Sequence, residues 1–378
     1  MKRLLAIILS AVLLLSLAAC GKTTLTDAQK ETLLQKAQAD IEQTQFKGAV
    51  CATLYSDEIL TAASGKANKD EDIDNASDVA YRYASITKQF TAAAIMKLYE
   101  QNKLDLQDTI DKYFPDYAHG KEITIHELLC MRSGLVDYIN DPDTLDQNGD
   151  PQGRKDVEIA FAVSPDKSAE ENRAAIEAWI FSQPLRFEPN SKFEYCSSGY
   201  MLLGEIVEQV AGESFSDFAQ KNFFDPLGMT TAGFLGSYDK EDVIVAKAYN
   251  RAGDMEWTEY PGAWFAAGDL ICSPRDMTKW SNALMNGKVV NDASWQLMTT
   301  VYSDEDPAMP YGYGLMIDNQ DGRKIVRHTG HFPSYCSMML MVPEEGYTCT
   351  TVSNHSNENA PILCGQITKD FKEIKYGK

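Results

Sequence analysis

Strand-like runs stand at both ends of this chain, and a long helical stretch separates them. Gly48–Tyr55 and Ile59–Ser64 are rich in apolar and β-branched residues and flank the polar turn Ser56-Asp57-Glu58. Near the other end, Tyr313–Ile317, Ser337–Val342 and Tyr347–Ser353 read the same way. Helical periodicity runs from about Ser85 to Asn102, with Ile86, Phe90, Ala94 and Leu98 on one face. Thr26-Asp27 can cap a helix that reaches about Gln43, and a last amphipathic helix carries Ile362, Leu363, Ile367, Phe371 and Ile374. Strands at both ends with helices between them predict an α/β (α+β) fold. One mainly antiparallel sheet is closed by both termini, flanked by N- and C-terminal helices, and interrupted by a helical insertion over roughly 105–300.

The chain has 378 residues, and 44% are hydrophobic, which excludes wholesale disorder. Lys and Arg number 35 against 55 Asp and Glu, a net charge of −20. Nucleic-acid binding requires a basic face, so that class is excluded. Lys2 and Arg3 precede the apolar run Leu4–Ala19, a secretory signal pattern too short to span a membrane. Cys20 directly follows Leu17-Ala18-Ala19, which resembles a bacterial lipoprotein signal. That resemblance implies a signal peptide over 1–19 and a lipidated Cys20 at the mature N-terminus; the composition and length of the stretch that follows suit a linker and spacer helix over 20–45, with part of the helix docking. The two acyl chains would hold the protein in the bilayer at the outer face of the bacterial cytoplasmic membrane. Beyond Cys20 stand Cys51, Cys130, Cys196, Cys272, Cys336, Cys349 and Cys364. An odd set without CxxC spacing is expected to be mostly free, buried thiols.

Ser85-Ile86-Thr87-Lys88 brings a serine and a lysine onto one helix face. The serine would sit at a helix N-terminus, where dipole and free amides favour negative charge. A buried lysine with a lowered pKa can accept its proton, which makes an activated nucleophile. The spacing recurs at Ser164/Lys167 and Ser237/Lys240, but in polar loops. Tyr195-Cys196-Ser197 precedes another apolar helical run and can point into a cleft or simply cap it. In the strand region, His328-Thr329-Gly330 offers a hydroxyl to a carboxylate and a glycine that permits close approach by a ligand.

Taken in order, these three motifs resemble the penicillin-recognising serine hydrolases, in the branch of class C β-lactamases, DD-carboxypeptidases and related esterases. The resemblance covers roughly residues 46–378, taken as the hydrolase domain. It extends to Ile123–Leu129, Ser133-Gly134-Leu135, Phe224–Met229, Ala267–Leu270 and Ser273–Met277. It implies a β-lactamase/transpeptidase-like fold and an acyl-enzyme on Ser85, with Lys88 and Tyr195 moving protons. The amides of Ser85 and His331 would form the oxyanion hole, and Ser197, His328, Thr329 and Gly330 would bind substrate. No cofactor and no metal are implied.

Two positions depart from the family pattern. Ser197 stands where Asn is usual, and a hydroxyl has fewer donors than an amide. His328 stands where β-lactamases usually carry Lys, though DD-carboxypeptidases of this branch can carry His there, and an unperturbed histidine is mostly neutral at pH 7. Such a site should hold a substrate carboxylate weakly. HExxH is absent, and the Asp141–Asp150 stretch lacks the ligands of a calcium loop at Thr144 and Lys155, leaving a mobile loop near the cleft as its reading. Tyr311-Gly312-Tyr313-Gly314 reads equally as pocket lining or strand packing. The expected partner is a small peptide, β-lactam or ester substrate, met by a monomer. The competing reading is a catalytically inactive relative that binds peptidoglycan or a protein.

Overall fold

The computed structural model describes residues 25–54, 59–139, 163–250, 252, 260–320, 322–332, 334–356 and 359–377. The segment 1–19, Cys20 and the Asp141–Asp150 stretch lie outside the described residues.

The chain enters with α1 (Asp27–Gln43), closed by a capping box between Thr26 and Gln29. Strands β1 (Gly48–Leu54) and β2 (Ile59–Ser64) follow, then the short pair β3 (Lys66–Asn68) and β4 (Ile73–Asp74), and β5 (Tyr81–Arg82). Next come α2 (Thr87–Glu100), α3 (Ile125–Leu129), α4 (Ala169–Ser182) and α5 (Ser197–Ala211). Strands β6 (Gly233–Phe234) and β7 (Leu270–Cys272) and helix α6 (Pro274–Met285) lead back to the sheet. It is completed by β8 (Met316–Gln320), β9 (Arg323–Phe332), β10 (Tyr335–Val342) and β11 (Tyr347–Ser353), and α7 (Ala360–Tyr376) ends the fold.

The main sheet runs β2-β1-β11-β10-β9-β8, antiparallel throughout. First and last strands pair inside it, one strand in from the β2 edge, with Val50 opposite Thr351. Strand alternation splits the apolar residues between two cores. Met338, Leu340 and Val342 of β10 pack with α1 and α7, whereas Met339 and Met341 pack on the opposite side, with α2 and the inserted helices. Leu33, Ala37 and Ile41 of α1 are buried in the first of these cores. The helix is therefore docked on the folded body through this face. In α7, Leu363, Ile367 and Phe371 are buried, but Ile362 is 66% exposed and stands off the apolar face.

The insertion is not purely helical. β5, β7 and β6 form a second, three-stranded sheet that ties the segment before Ser85 to residues 233–272. α2 is buried all round from Thr87 to Met96, so its amphipathic appearance understates its place at the centre. Trp280 of α6 stacks on Phe90 with centroids 3.7 Å apart and donates to the Gln89 Oε1 at 2.8 Å. The seven cysteines from Cys51 to Cys364 are all free and buried.

Candidate active site

The nucleophile candidate lies in a 3₁₀ turn, Ala84–Ile86, that leads into α2. Ala84 holds φ +47°, a left-handed conformation costly for a residue with a Cβ. Two contacts fix it. The Thr87 hydroxyl donates to the Ala84 carbonyl at 2.6 Å, and Phe332 of β9 shares a small apolar cluster with Ala84. The segment Ala266–Leu270 is tied to α2 by three side chains. Thr91 donates to the Ala266 carbonyl at 2.6 Å, Lys88 to that of Ala267 at 3.0 Å, and the Leu270 amide donates to Thr87 Oγ1 at 3.0 Å.

Lys88 is fully buried, and its Nζ lies 3.2 Å from Ser85 Oγ. Burial pulls its pKa down to about 8, opposed by the negative field of Asp137. Near neutral pH part of the population is a free amine within reach of the serine proton. The Tyr195 hydroxyl also hydrogen-bonds Ser85. Burial holds that phenol well above its ordinary range, the Ser85 bond pulling weakly the other way, so Tyr195 is neutral. Lys88 Nζ sits 5.1 Å from the centroid of the Tyr195 ring. Ser85, Lys88 and Tyr195 thus meet at one point. The other two Ser-x-x-Lys matches bond elsewhere: Ser164 Oγ accepts from the Asp166 amide, and Ser237 Oγ donates to Ser216.

The third motif lies on β9. Strand β8 pairs with it only as far as Met316 opposite Arg327, so residues 328–332 present an edge beyond that neighbour. The Ser85 turn occupies this edge. A Cβ on Gly330 would come within 1.9 Å of the Tyr83 carbonyl oxygen. The close approach expected of a ligand at Gly330 is therefore made by the protein's own backbone. Ser337 adds a bond of 3.2 Å to the same carbonyl. Thr329 is half-buried and His331 exposed, at the open end of the strand.

His328 differs most from expectation. It is 1% exposed, and both ring nitrogens are engaged. Nδ1 lies 2.6 Å from the Thr329 carbonyl, which can only accept, so Nδ1 carries the hydrogen. Nε2 then accepts from the Tyr311 hydroxyl at 3.0 Å. Burial, with the Lys88 charge adding to it, pushes the pKa down to about 3. The ring is neutral and held on both sides by the protein.

Ser197 is 1% exposed at the start of α5, and its Oγ has no hydrogen-bond partner among the described residues. Asp137 was missed in the sequence. Its loop is hooked to α5, because Ser198 Oγ donates to the Val136 carbonyl at 2.6 Å and accepts from the Tyr138 amide at 3.1 Å. The only signal was its place just after Ser133-Gly134-Leu135. The Tyr311-to-Gly314 run plays two parts. Tyr311 supports His328, while Tyr313 meets His126 Nδ1 at 2.6 Å, away from the serine. Among the described residues no group of three His, Cys, Asp or Glu side chains could hold a metal ion.

A serine bonded to a buried lysine and a tyrosine, under the edge of an antiparallel sheet, defines a serine hydrolase of the β-lactamase/transpeptidase-like fold. The chain belongs to the Beta-lactamase family, whose profile matches residues 33–362. Members with this fold act on amide or ester bonds. PbpX of Bacillus subtilis (strain 168), named among penicillin-binding proteins, is 27% identical over 343 residues, covering 90% of this chain and 78% of its own. Two solved structures share the fold. A penicillin binding protein from Bacillus halodurans superposes with TM-score 0.76 at 24% identity, over 88% of this chain and 98% of that one. A D-amino acid amidase from Ochrobactrum anthropi SV3 gives 0.74 at 23% identity, over 92% and 99%.

Proposed function

We propose that this protein hydrolyses amide or ester bonds of small substrates, D-Ala-D-Ala-type peptides or their relatives, through an acyl-enzyme on Ser85. It would do so outside the cytoplasm, anchored by a lipidated Cys20. The observation that carries the catalytic reading is the 3.2 Å approach of a fully buried Lys88 amine to Ser85 Oγ. In its neutral form Lys88 takes the serine proton as Oγ bonds to the substrate carbonyl carbon. The negative charge on the carbonyl oxygen would be met by the amides of Ser85 and His331. Collapse breaks the C–N or C–O bond. Tyr195, a neutral phenol bonded to Ser85, gives its proton to the leaving group and is reprotonated from Lys88. Water then attacks the acyl-serine by the same route in reverse.

The non-catalytic alternative rests on Ser197, whose buried hydroxyl lacks a partner among the described residues. The deciding test is intact-mass detection of an adduct on Ser85 during turnover of a nitrophenyl ester. Ser85→Ala should lose the adduct and turnover, about 10⁶-fold in a triad-type hydrolase. A variant that keeps near wild-type turnover refutes the reading. For location, growth with a labelled lipid precursor should mark wild type and spare Cys20→Ala.

A further inference from the structure

We propose that Asp40 of α1 and Asp370 of α7 form a proton-dependent latch, which fastens the first helix of the fold to the last more tightly as the pH falls. Lys36 and Asp40 stand one turn apart on α1, so both side chains face the same way. They meet α7, which packs along α1. Asp370 is 3% exposed there and accepts from Lys36 Nζ at 2.9 Å and from Gln366 Nε2 at 3.4 Å. Asp40 Oδ2 is also buried, yet it receives no hydrogen bond from any described residue. The group its carboxyl meets is Asp370 itself. Two carboxylates can only accept, so this contact becomes a hydrogen bond only when one of them carries a proton.

The proton belongs on Asp40. Asp370 already serves an ammonium and an amide, whereas Asp40 Oδ2 is shut away from both water and donors. Burial first, then the hydrogen bond and charge of Asp370, raise the Asp40 pKa from 3.8 to about 6, against the pull of the Lys36 cation. The other charges at this contact lie on α7: Glu373, 3.4 Å from Lys36 Nζ, and Lys369, 3.8 Å from Glu373. Strand β2, which also packs on α1, carries no titratable side chain. A folded-state pKa above the unfolded one means that the proton stabilises the docked helix. That contribution is complete below about 3.8 and is lost as pH rises through about 6. Leu33, Ala37 and Ile41 hold α1 through apolar contacts that do not titrate, so the latch adjusts how firmly the helix sits. On the lipid-anchor reading, α1 is the arm between tether and catalytic body, and acid would stiffen that arm.

Two measurements on the intact protein test the latch, and neither depends on activity or on the tether. Carbon-13 NMR of the aspartate carboxyls should show a titration near pH 6 in wild type that is absent from Asp40→Asn. Hydrogen exchange reads the docking itself. Corrected for the intrinsic rate at each pH, protection of the α1 amides should be about five-fold greater at pH 5 than at pH 7.5. The shift from 3.8 to about 6 sets a ceiling of about ten-fold over that window, and solvent at this partly open site roughly halves it. In Asp40→Asn the side-chain amide donates to Asp370 at either pH, so the α1 ratio should fall to about one. The pH response of the α2 amides should be the same in both proteins. An α1 ratio that persists in Asp40→Asn overturns the proposal, as does a wild-type ratio of one. So does a carboxyl spectrum in which Asp40 titrates near its ordinary value.

Discussion

Gly330 faces the carbonyl of Tyr83 so closely that a single methyl group there would meet the oxygen at 1.9 Å. This contact docks the third motif against the turn that carries Ser85. Gly330→Ala must push β9 off the turn or twist the turn away. The strain should cost roughly 1–3 kcal/mol of stability. Activity should suffer more, because a misplacement of about 1 Å can cost 100-fold. Paired measurements of Tm and kcat decide it; a folded Gly330→Ala with normal kcat would show that the contact is not what positions the serine.

Lys88 should write its titration into the rate. A base must be deprotonated to work, so kcat/KM should rise with pH and level off above about 8, where burial has set its pKa. Below that limb the charged amine sits in a dry core and destabilises the fold. Its folded pKa lies below the unfolded one, so wild-type stability should climb relative to Lys88→Met as pH passes from about 8 to 10.5, by on the order of 3 kcal/mol. Lys88→Met should be inactive yet melt higher at pH 6. An active Lys88→Arg, or a flat rate from pH 5 to 9, would sink this account.

The Asp137 carboxylate raises the Lys88 pKa against the pull of burial. Asp137→Asn should therefore move the rate limb to lower pH. At pH 6.5 the variant should gain relative to wild type, provided the hooked loop is retained. A limb that stays put, or moves upward, removes Asp137 from any electrostatic role.

Tyr195 is neutral, so Tyr195→Phe should leave the limb near pH 8 in place while lowering kcat by 10²–10⁴-fold, the usual worth of a positioned proton donor. Loss of the limb in this variant would instead assign it to the phenol.

Ser197 has a buried hydroxyl with no partner among the described residues. Leaving such a group unpaired costs roughly 1–3 kcal/mol. Ser197→Ala should then raise the stability of the free protein by on the order of 1 kcal/mol. If the hydroxyl pairs with bound substrate, kcat/KM should fall about ten-fold in the same variant. Higher Tm with unchanged kcat/KM would make Ser197 a relic with no part in binding.

Local chemistry made parts of this molecule legible. Thr26 and Gln29 form a capping box, so α1 begins and ends where the sequence places it. Ser85 and Lys88 sit within one turn of each other, and their proximity needs no tertiary knowledge. What was hidden arises from long-range packing. Most of β9 was not read as a strand because Arg323, Lys324, Arg327 and His328 mask its apolar alternation. Asp137 comes near Lys88 through tertiary bonds that hold its loop, among them those of Ser198 to Val136 and Tyr138 and that of Cys196 to Leu135. That His328 would be neutral was expected from its type; that Tyr311 and the Thr329 carbonyl would occupy both nitrogens was not.

The pairing of β1 with β11 sets the order in which this protein can come alive. Residues 48–54 leave the ribosome early, yet their partners at 347–353 emerge some 300 residues later. Contacts so distant in sequence form slowly, because a long loop must close before they are rewarded. The helix that follows Ser85 and carries Lys88 can form from its own residues, but the turn that holds Ser85 packs on β9, and β9 must wait for the same late strands on which it pairs. A nascent or truncated chain would thus hold its reactive serine without the frame that activates it, and acylating power would arrive only when synthesis is nearly finished.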